Sequence, residues 1–145
     1  MIGLLQRVTQ AQVTIDGDTV ASINAGLVVL VGIEKNDSEK QTQRLFEKLI
    51  GYRVFPDVQD KMNLSLRDIK GGLLLVPQFT LAADTQKGLR PSFSNAAAPE
   101  LGKQLFEYLI SYARQQFTNV ETGVFGANMQ VSLVNDGPVT FWLKA

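Results

Sequence analysis

The sequence predicts a single α+β domain, spanning residues 1–145, in which a mainly antiparallel, barrel-like sheet is combined with two helices. The chain has 145 residues, of which 45% are hydrophobic and 19% charged, a composition typical of one globular domain with its own core. About eight stretches show strand patterns. They cluster towards both ends of the chain and do not alternate with helices, which argues against a repeated βαβ fold.

The first third of the chain is predicted to consist of strands. Residues 2–8 and 11–15 have strand character, and the turn at residues 16–18 (Asp-Gly-Asp) leads into a further strand at 19–23. Residues 26–33 (GLVVLVGI) form a continuous apolar run rich in β-branched side chains. Such a run predicts a buried central strand.

A helix and a second buried strand are predicted next. Ser38 and Gln41 have the spacing of a capping box, and the apolar side chains that follow recur on one helical face. Residues 61–71 are mixed in character and predict a loop with short extended pieces. Residues 72–76 then predict a buried strand. Pro77 either places this strand at a sheet edge or bends it, because proline donates no ladder hydrogen bond.

The second half of the chain is predicted to contain an irregular segment, a helix and the last strands. Residues 83–98 lack any periodicity, which is typical of either a functional loop or a tolerated surface insertion. Pro99 suits the first turn of a second helix. The last three strands are predicted at about 120–125, 129–134 and 139–143.

The composition excludes several kinds of chemistry. The chain has no cysteine and no histidine, so disulfides, thiolate metal sites and Ser-His or Cys-His nucleophile pairs are excluded. Its 14 basic residues balance 14 acidic ones, which is not the footprint of a non-specific nucleic-acid coat but allows a local basic patch. No leader and no stretch of 18 apolar residues is apparent. We therefore expect a cytoplasmic protein without membrane contact.

The first candidate site is residues 77–80 (Pro-Gln-Phe-Thr), at the end of a buried strand. Gln78 offers an amide and Thr80 a hydroxyl. The segment is either a binding edge for a polar, planar group or a strand end whose threonine bonds the backbone. The residues alone favour the structural interpretation, because a threonine nucleophile needs an activating base and the chain has no histidine.

The second candidate site is residues 135–138 (Asn-Asp-Gly-Pro). Gly137 permits close approach of a backbone or a ligand, and a Gly-Pro bond can be cis. The segment is either a rigid pocket wall or an ordinary hairpin turn between the strands at 129–134 and 139–143. The residues alone favour the hairpin.

A third candidate lies in the irregular segment. Arg90, with Lys87 nearby, can reach a phosphate, and the alternative is a solvated loop with Phe93 tucked into the core. No acid–base pair is apparent among the scattered carboxylates of Asp84, Glu121 and Asp136. No pattern calls for a metal or a cofactor. The chain therefore has few side chains suited to catalysis.

Five segments distributed along the chain carry a resemblance to a known family. They are IGLLQRVTQAQVTI (2–15), GYRVFPD (51–57), KMNLSL (61–66), LAADTQKGLRPSF (81–93) and TGVFGANMQVSLVNDGPVTFW (122–142). In order and spacing they resemble the D-aminoacyl-tRNA deacylases, also called D-tyrosyl-tRNA deacylases. A match that runs nearly from end to end is far more specific than any single motif.

The resemblance implies two signature segments. The family's Ser-Gln-Phe-Thr motif corresponds to residues 77–80, where Pro77 replaces the usual serine and so removes a hydroxyl and an N–H. Any substrate contact that these groups make in relatives is missing here. The family's Asn-x-Gly-Pro-Val-Thr motif corresponds to residues 135–140 and is intact. By resemblance, the bond between Gly137 and Pro138 is cis and forms a chiral gate.

The resemblance also implies an activity, the hydrolysis of the ester bond of D-aminoacyl-tRNA to free tRNA and a D-amino acid. It implies catalysis assisted by the ribose 2′-OH of the substrate, which agrees with a chain that lacks histidine, cysteine and a carboxylate pair. Gln78, Phe79 and Thr80 would then supply positioning and backbone N–H donors for the developing oxyanion. A gate that acts by steric clash would reject L-aminoacyl groups and leave achiral glycine unexcluded.

The family is dimeric, with its sites near the subunit interface. We therefore expect a homodimer that binds the aminoacylated 3′ end of tRNA without metal or cofactor. Arg7 is expected either to brace the partner's Gly-Pro segment or to be a surface charge, and Asn135 and Met129 are expected to support the site. Two alternatives stay open. One is Thr80 as a covalent nucleophile on the same substrate, and the other is a non-catalytic tRNA-binding module, which Pro77 favours.

Overall fold

Two long antiparallel strands form the centre of the fold in a computed structural model that describes every residue from Met1 to Ala145. Strand β1 spans Ile2–Ile15 and β8 spans Gln130–Lys144, and they pair from one end to the other. The sequence patterns predict a break in each. In both strands the chain continues through the predicted break, where only the register of the pairing shifts. The predicted hairpin turn at residues 135–138 is therefore wrong.

The other edge of β1 is shared by two shorter strands. β3 (Gly26–Gly32) pairs with the first half of β1 and β2 (Asp18–Ile23) with the second half, both antiparallel. Beyond β3 the sheet continues in parallel through β6 (Gly72–Pro77) to β7 (Val120–Thr122). The prediction of a mainly antiparallel, barrel-like α+β fold is confirmed, with a parallel portion that requires crossovers through helices.

The remaining elements connect or cover this sheet. The two predicted helices are present, and the segment predicted as a loop at 61–71 contains a short strand and a helix of four residues. That helix escaped prediction because four residues are too few to show a helical period. The elements are α1 (Glu39–Gly51), β4 (Phe55–Pro56), β5 (Met62–Leu64), α2 (Leu66–Ile69), a 3₁₀ helix (Phe79–Ala82) and α3 (Pro99–Gln116).

Both faces of the central strands β3 and β6 are buried. On one face a large cluster packs β1, β3 and β6 against α1 and α3, with Phe46 and Phe106 among its fully buried side chains. On the other face a smaller cluster joins Val13 of β1 with Val28 of β3 and Leu74 of β6. Burial on both faces explains why β3 and β6 are continuous apolar runs. No helix combines the length and apolar character needed to cross a membrane.

A cluster of charges holds the end of β3 against β1 and β8. The Met1 amino group donates to Glu34 Oε2 at 3.0 Å and to Asp37 Oδ1 at 2.5 Å, while Lys144 Nζ reaches Glu34 Oε1 at 2.7 Å. Burial raises the pKa of Glu34, but hydrogen bonds from Lys144 and the Met1 amino group outweigh that effect. The pKa of Glu34 therefore lies below its ordinary value of 4.5.

Candidate functional site

A cavity of about 460 Å³ opens where the parallel strands β3 and β6 end. Carboxyl ends of parallel strands lie at one edge of a sheet, which is a common place for ligand sites. The first turn of α3 and the stretch before β8 complete the walls, and no wall residue carries a charge. The cavity is lined by Val31, Ile33, Val76, Pro77, Gln78, Phe79, Ala97, Pro99, Gly102, Phe125, Gly126, Ala127, Asn128, Met129 and Val131.

A second cavity, of about 300 Å³, lies on the polar outer surface formed by β1, β2 and β8. Its lining includes Gln10, Gln12 and Ser132 but none of the predicted site residues. The first cavity, which contains Gln78, Phe79 and Met129, is therefore the candidate site.

Pro77 lies where β6 and its pairing with β7 end. Gln78 N–H donates to the Val31 carbonyl of β3 at 2.8 Å, so the nitrogen of Pro77 faces the opposite side, towards β7. The pairing of β7 with β6 stops at Leu75, and a Cβ on Gly123 would lie only 3.3 Å from Pro77 Cδ. The Gly123 N–H donates to the Leu75 carbonyl at 2.8 Å, so the next donor of the parallel ladder would be the N–H of residue 77, which proline lacks. The ladder therefore stops at Pro77 and the strand is locally an edge, one of the two predicted outcomes.

The Gln78 and Thr80 side chains bond each other at the rim of the cavity. Gln78 Nε2 donates to Thr80 Oγ1 at 2.6 Å, and no carboxylate or amine is hydrogen-bonded to that oxygen. The N–H of Gln78 is already used by β3, whereas those of Phe79 and Thr80 donate to no backbone carbonyl. The segment can thus offer two free N–H donors and an amide, but no general base for Thr80.

Met129 lines the cavity close to Pro77. Its sulfur accepts a hydrogen bond from the Val124 N–H at 3.3 Å, and a Cβ added to Gly123 would come within 2.8 Å of that sulfur. The absence of a side chain at Gly123 leaves the room that this thioether occupies in the cavity wall. Neither Gly123 nor Phe125, which also lines the cavity, was singled out from the sequence, because nothing local marks them.

Phe93 packs at the rim of the cavity and is not tucked into the core, so the alternative of a core position for this residue is wrong. Its ring centroid lies 5.2 Å from that of Phe79, with a tilt of 48° between the rings. Phe79 is 58% exposed and Phe93 42% exposed. The pair places a partly exposed aromatic surface beside the cavity, and connects the irregular segment to the Gln78–Thr80 segment.

The residues of the second candidate site lie elsewhere, on β8, opposite Arg7 of β1. Between the strand pairs Gln6↔Thr140 and Val8↔Asn135, β1 contains Arg7 alone whereas β8 contains residues 136–139. The extra residues of β8 bulge out opposite Arg7. The bond between Gly137 and Pro138, within this bulge, is cis.

Arg7 holds the bulge in place. Its Nε donates to the carbonyl oxygen of Asp136 at 3.0 Å and lies 3.1 Å from that residue's Oδ2, and its Nη1 donates to the carbonyl of Val54 at 2.5 Å. The Arg7 side chain is only 11% exposed, so it is not a free surface charge. It contacts the Gly-Pro segment of its own chain, whereas the expectation was a contact with a partner's. Nearby, Gln6 Nε2 donates to Asn135 Oδ1 at 3.4 Å.

The predicted site residues thus form two groups. Gln78, Phe79 and Met129 line the cavity, with Thr80 bonded to Gln78 at its rim. The other group, on β1 and β8, lines no part of that cavity and comprises Arg7, Asn135, Gly137 and Pro138. No group of three or more carboxylates of the kind that holds a metal ion is present.

Comparison with known proteins agrees with this fold. The sequence model of the family described as D-Tyr-tRNA(Tyr) deacylase matches residues 4–144. A protein of Legionella pneumophila (strain Lens) named D-aminoacyl-tRNA deacylase is 61% identical over 144 residues, which cover 99% of each chain. One of Nitrosococcus oceani with the same name is 62% identical over 99% of this chain and 93% of its own.

Two solved structures share the fold. A c-Myc DNA unwinding element binding protein superimposes with a TM-score of 0.96 at 35% identity, covering 100% of this chain and 99% of the other. A probable eukaryotic D-amino acid tRNA deacylase, at 16% identity and a TM-score of 0.86, supports the fold alone. The fold and the site thus define the class of protein: an α+β domain with a barrel-like sheet and an uncharged cavity at its strand ends. The chain belongs to the D-Tyr-tRNA(Tyr) deacylase family.

Proposed function

We propose that this protein hydrolyses the ester bond of D-aminoacyl-tRNA, releasing tRNA and a D-amino acid, in the cytoplasm. The observation that carries the proposal is the cavity with Gln78 and Phe79 in its wall and no charged side chain. Such a cavity suits an aminoacyl ester and its uncharged terminal nucleoside better than a reaction that needs a side-chain acid or base. Two relatives of about 60% identity are named for this activity.

Catalysis is assisted by the substrate in this proposal. The ribose 2′-OH beside the ester helps water to add to the carbonyl carbon, after which the bond to the ribose oxygen breaks and that oxygen takes a proton. The protein supplies position and hydrogen-bond donors for the oxyanion. The N–H groups of Phe79 and Thr80 donate to no backbone carbonyl and support this role. The Gln78 N–H is already bonded to β3 and is not free for it.

Chirality is selected by the Gly137-Pro138 segment of a second subunit in a homodimer. Three observations support a dimer. The segment lies apart from the cavity of its own chain, and β8 pairs with no strand except β1. β8 also carries the side chains of Val134 and Trp142, which are 48% and 54% exposed. A backbone wall inserted beside the substrate Cα would clash with an L-side chain and leave D-aminoacyl and glycyl groups unhindered.

A tRNA-binding module without catalysis is the second candidate, and Pro77 is the observation that favours it. Pro77 lines the cavity and lacks the hydroxyl donor that a serine would present there. If relatives use that donor on the substrate, this chain binds without hydrolysing.

Deacylation of matched D-Tyr-tRNA and L-Tyr-tRNA by the purified protein tests the proposal. We expect the D-substrate to be hydrolysed at least about a hundredfold faster in kcat/KM, which corresponds to a difference of about 2.7 kcal/mol between the two transition states. Size-exclusion chromatography with light scattering checks the dimer in the same preparation. Binding of both tRNAs without release from either would establish the non-catalytic module in its place.

Thr80→Ala is expected to lower kcat/KM for D-Tyr-tRNA by no more than about tenfold, because the variant removes only the Gln78–Thr80 hydrogen bond, worth about 1.4 kcal/mol at most. Thr80→Ser keeps the hydroxyl and should match the wild-type enzyme. Rapid-quench measurement of the first turnover should show no burst. A drop of several orders of magnitude in a folded Thr80→Ala protein would instead establish Thr80 as a covalent nucleophile.

A further inference from the structure

The irregular segment at 83–98 contains a projecting tip with a closed neck. The backbones of Asp84 and Ser92 exchange two hydrogen bonds, of 2.8 and 2.9 Å, which close a loop around residues 85–91. Every residue of that loop is exposed, and Leu89 at its tip is fully so. A projecting loop of this kind is not needed for the core.

The base of this segment is fixed to the rim of the cavity. Lys35 N–H donates to the Asn95 carbonyl at 3.0 Å, and Ala97 N–H donates to the Ile33 carbonyl at 2.9 Å. Ile33 and Ala97 line the cavity, and the contact between Phe93 and the cavity residue Phe79 adds a third attachment. The tip therefore projects from the mouth of the site.

The tip carries two cations that no acid neutralises. Lys87 and Arg90 form no ion pair, and the one carboxylate of the segment, Asp84, accepts the N–H of Gln86 at 3.0 Å in the neck. The cavity itself has no charged wall residue. A polynucleotide whose terminal nucleoside enters the cavity must keep its phosphates outside, where Lys87 and Arg90 are free to meet them.

We propose that Lys87 and Arg90 bind backbone phosphates at the acceptor end of the tRNA, next to the nucleoside held in the cavity. This inference rests on the proposed function and adds to it the place where the RNA backbone is held. A neutral chain has no general attraction for RNA, so a local pair of cations makes a measurable share of the affinity. Phosphate binding of this kind holds the tRNA without reading its sequence.

The test is charge reversal in the double variant Lys87→Glu/Arg90→Glu, with the whole protein and D-Tyr-tRNA. We expect KM to rise at least about tenfold with kcat nearly unchanged, because the two cations hold the RNA equally well in the ground and transition states. The slope of log(kcat/KM) against log[salt] should become shallower by roughly 0.7 for each phosphate that the variant no longer binds. A double variant with wild-type KM and slope would overturn the inference.

Two controls separate this effect from others. The 3′-O-D-tyrosyl ester of adenosine has no phosphate, so the double variant should hydrolyse it at the wild-type rate. Lys40→Glu/Arg44→Glu makes the same change in net charge at two exposed residues of α1, which lines no part of the cavity, and should leave KM for the tRNA within about twofold. An equal loss of activity on tRNA and on the adenosine ester, or an equal rise in KM in both variants, would contradict the proposal.

The two substrates also keep the inference apart from the proposed function. Wild-type protein that hydrolyses neither the tRNA nor the adenosine ester removes the proposed function and this inference with it. Wild-type protein that hydrolyses both, together with a double variant that is impaired on neither, removes the phosphate-binding role alone. Thermal unfolding of each variant confirms that the comparison is made between folded proteins.

Discussion

Gly137→Ala is expected to cost most of the discrimination between D- and L-Tyr-tRNA. Gly137 has a φ of +124°, a region that side chains with a Cβ rarely adopt. An added Cβ would lie 2.8 Å from Val139 Cγ2 and 3.1 Å from Arg7 Nη2. Because the proposed gate works by steric clash, a shift of the backbone that forms it should admit L-aminoacyl groups.

The expected changes in stability and in the D/L ratio follow from the backbone strain and the steric clash together. The backbone strain costs roughly 1–2 kcal/mol and the overpacking about 1–3 kcal/mol in the free energy of unfolding. The ratio of kcat/KM for D- over L-Tyr-tRNA should fall at least about tenfold, a change of about 1.4 kcal/mol between the two transition states. Both quantities are measured on the same preparation, by thermal unfolding and by deacylation.

Gly17→Ala is the matched control for this prediction. Gly17 also has a positive φ, of +90°, but a Cβ there would meet nothing within 4 Å. We expect a similar cost in strain and an unchanged D/L ratio. If Gly137→Ala folds and keeps the full D/L ratio, the gate does not lie in this segment.

Local sequence patterns were sufficient to predict β3, β6, α1 and α3. Continuous apolar runs and a helical stripe report burial directly, and these elements are buried on the faces that the patterns indicate. The lengths of β1 and β8 could not be predicted in this way. Their predicted breaks are bulges, and a bulge is distinguished from a turn only by the partner strand that pairs on both sides of it.

The candidate site, too, could be predicted from local sequence patterns only in part. Gln78 and Phe79 could be named from the sequence because they follow a buried strand and match a family motif. The contact of Phe93 with Phe79, and the carbonyl of Val54 that accepts from Arg7, connect residues far apart in the chain. No local pattern encodes such contacts, because any exposed loop can hold an aromatic residue and every residue has a carbonyl.

Arg7→Ala is expected to loosen the Gly137-Pro138 bulge and to lower stability. The guanidinium is nearly buried and donates to the carbonyls of Asp136 and Val54, which would be left without a charged donor. The carboxylate of Asp136 is 48% exposed, so its ion pair with Arg7 contributes little. Removing the hydrogen bonds to the carbonyls should cost about 2–3 kcal/mol in the free energy of unfolding.

Two further variants distinguish the hydrogen bonds to the carbonyls from the ion pair. Asp136→Asn keeps the main-chain carbonyl and removes only the charge, so its stability and D/L ratio should stay near those of the wild type. Arg7→Lys keeps the charge but cannot span both carbonyls as the planar guanidinium does, so we expect it to restore less than half of the stability that Arg7→Ala removes.

The measurement that separates gate positioning from general stability is the D/L ratio at a temperature where every variant is folded. We expect Arg7→Ala to lower that ratio by about tenfold or less and to change kcat for the D-substrate little, because Arg7 lines no part of the cavity. A destabilised Arg7→Ala protein with the wild-type D/L ratio would show that the bulge keeps its position without the guanidinium. Arg7 would then act on stability alone.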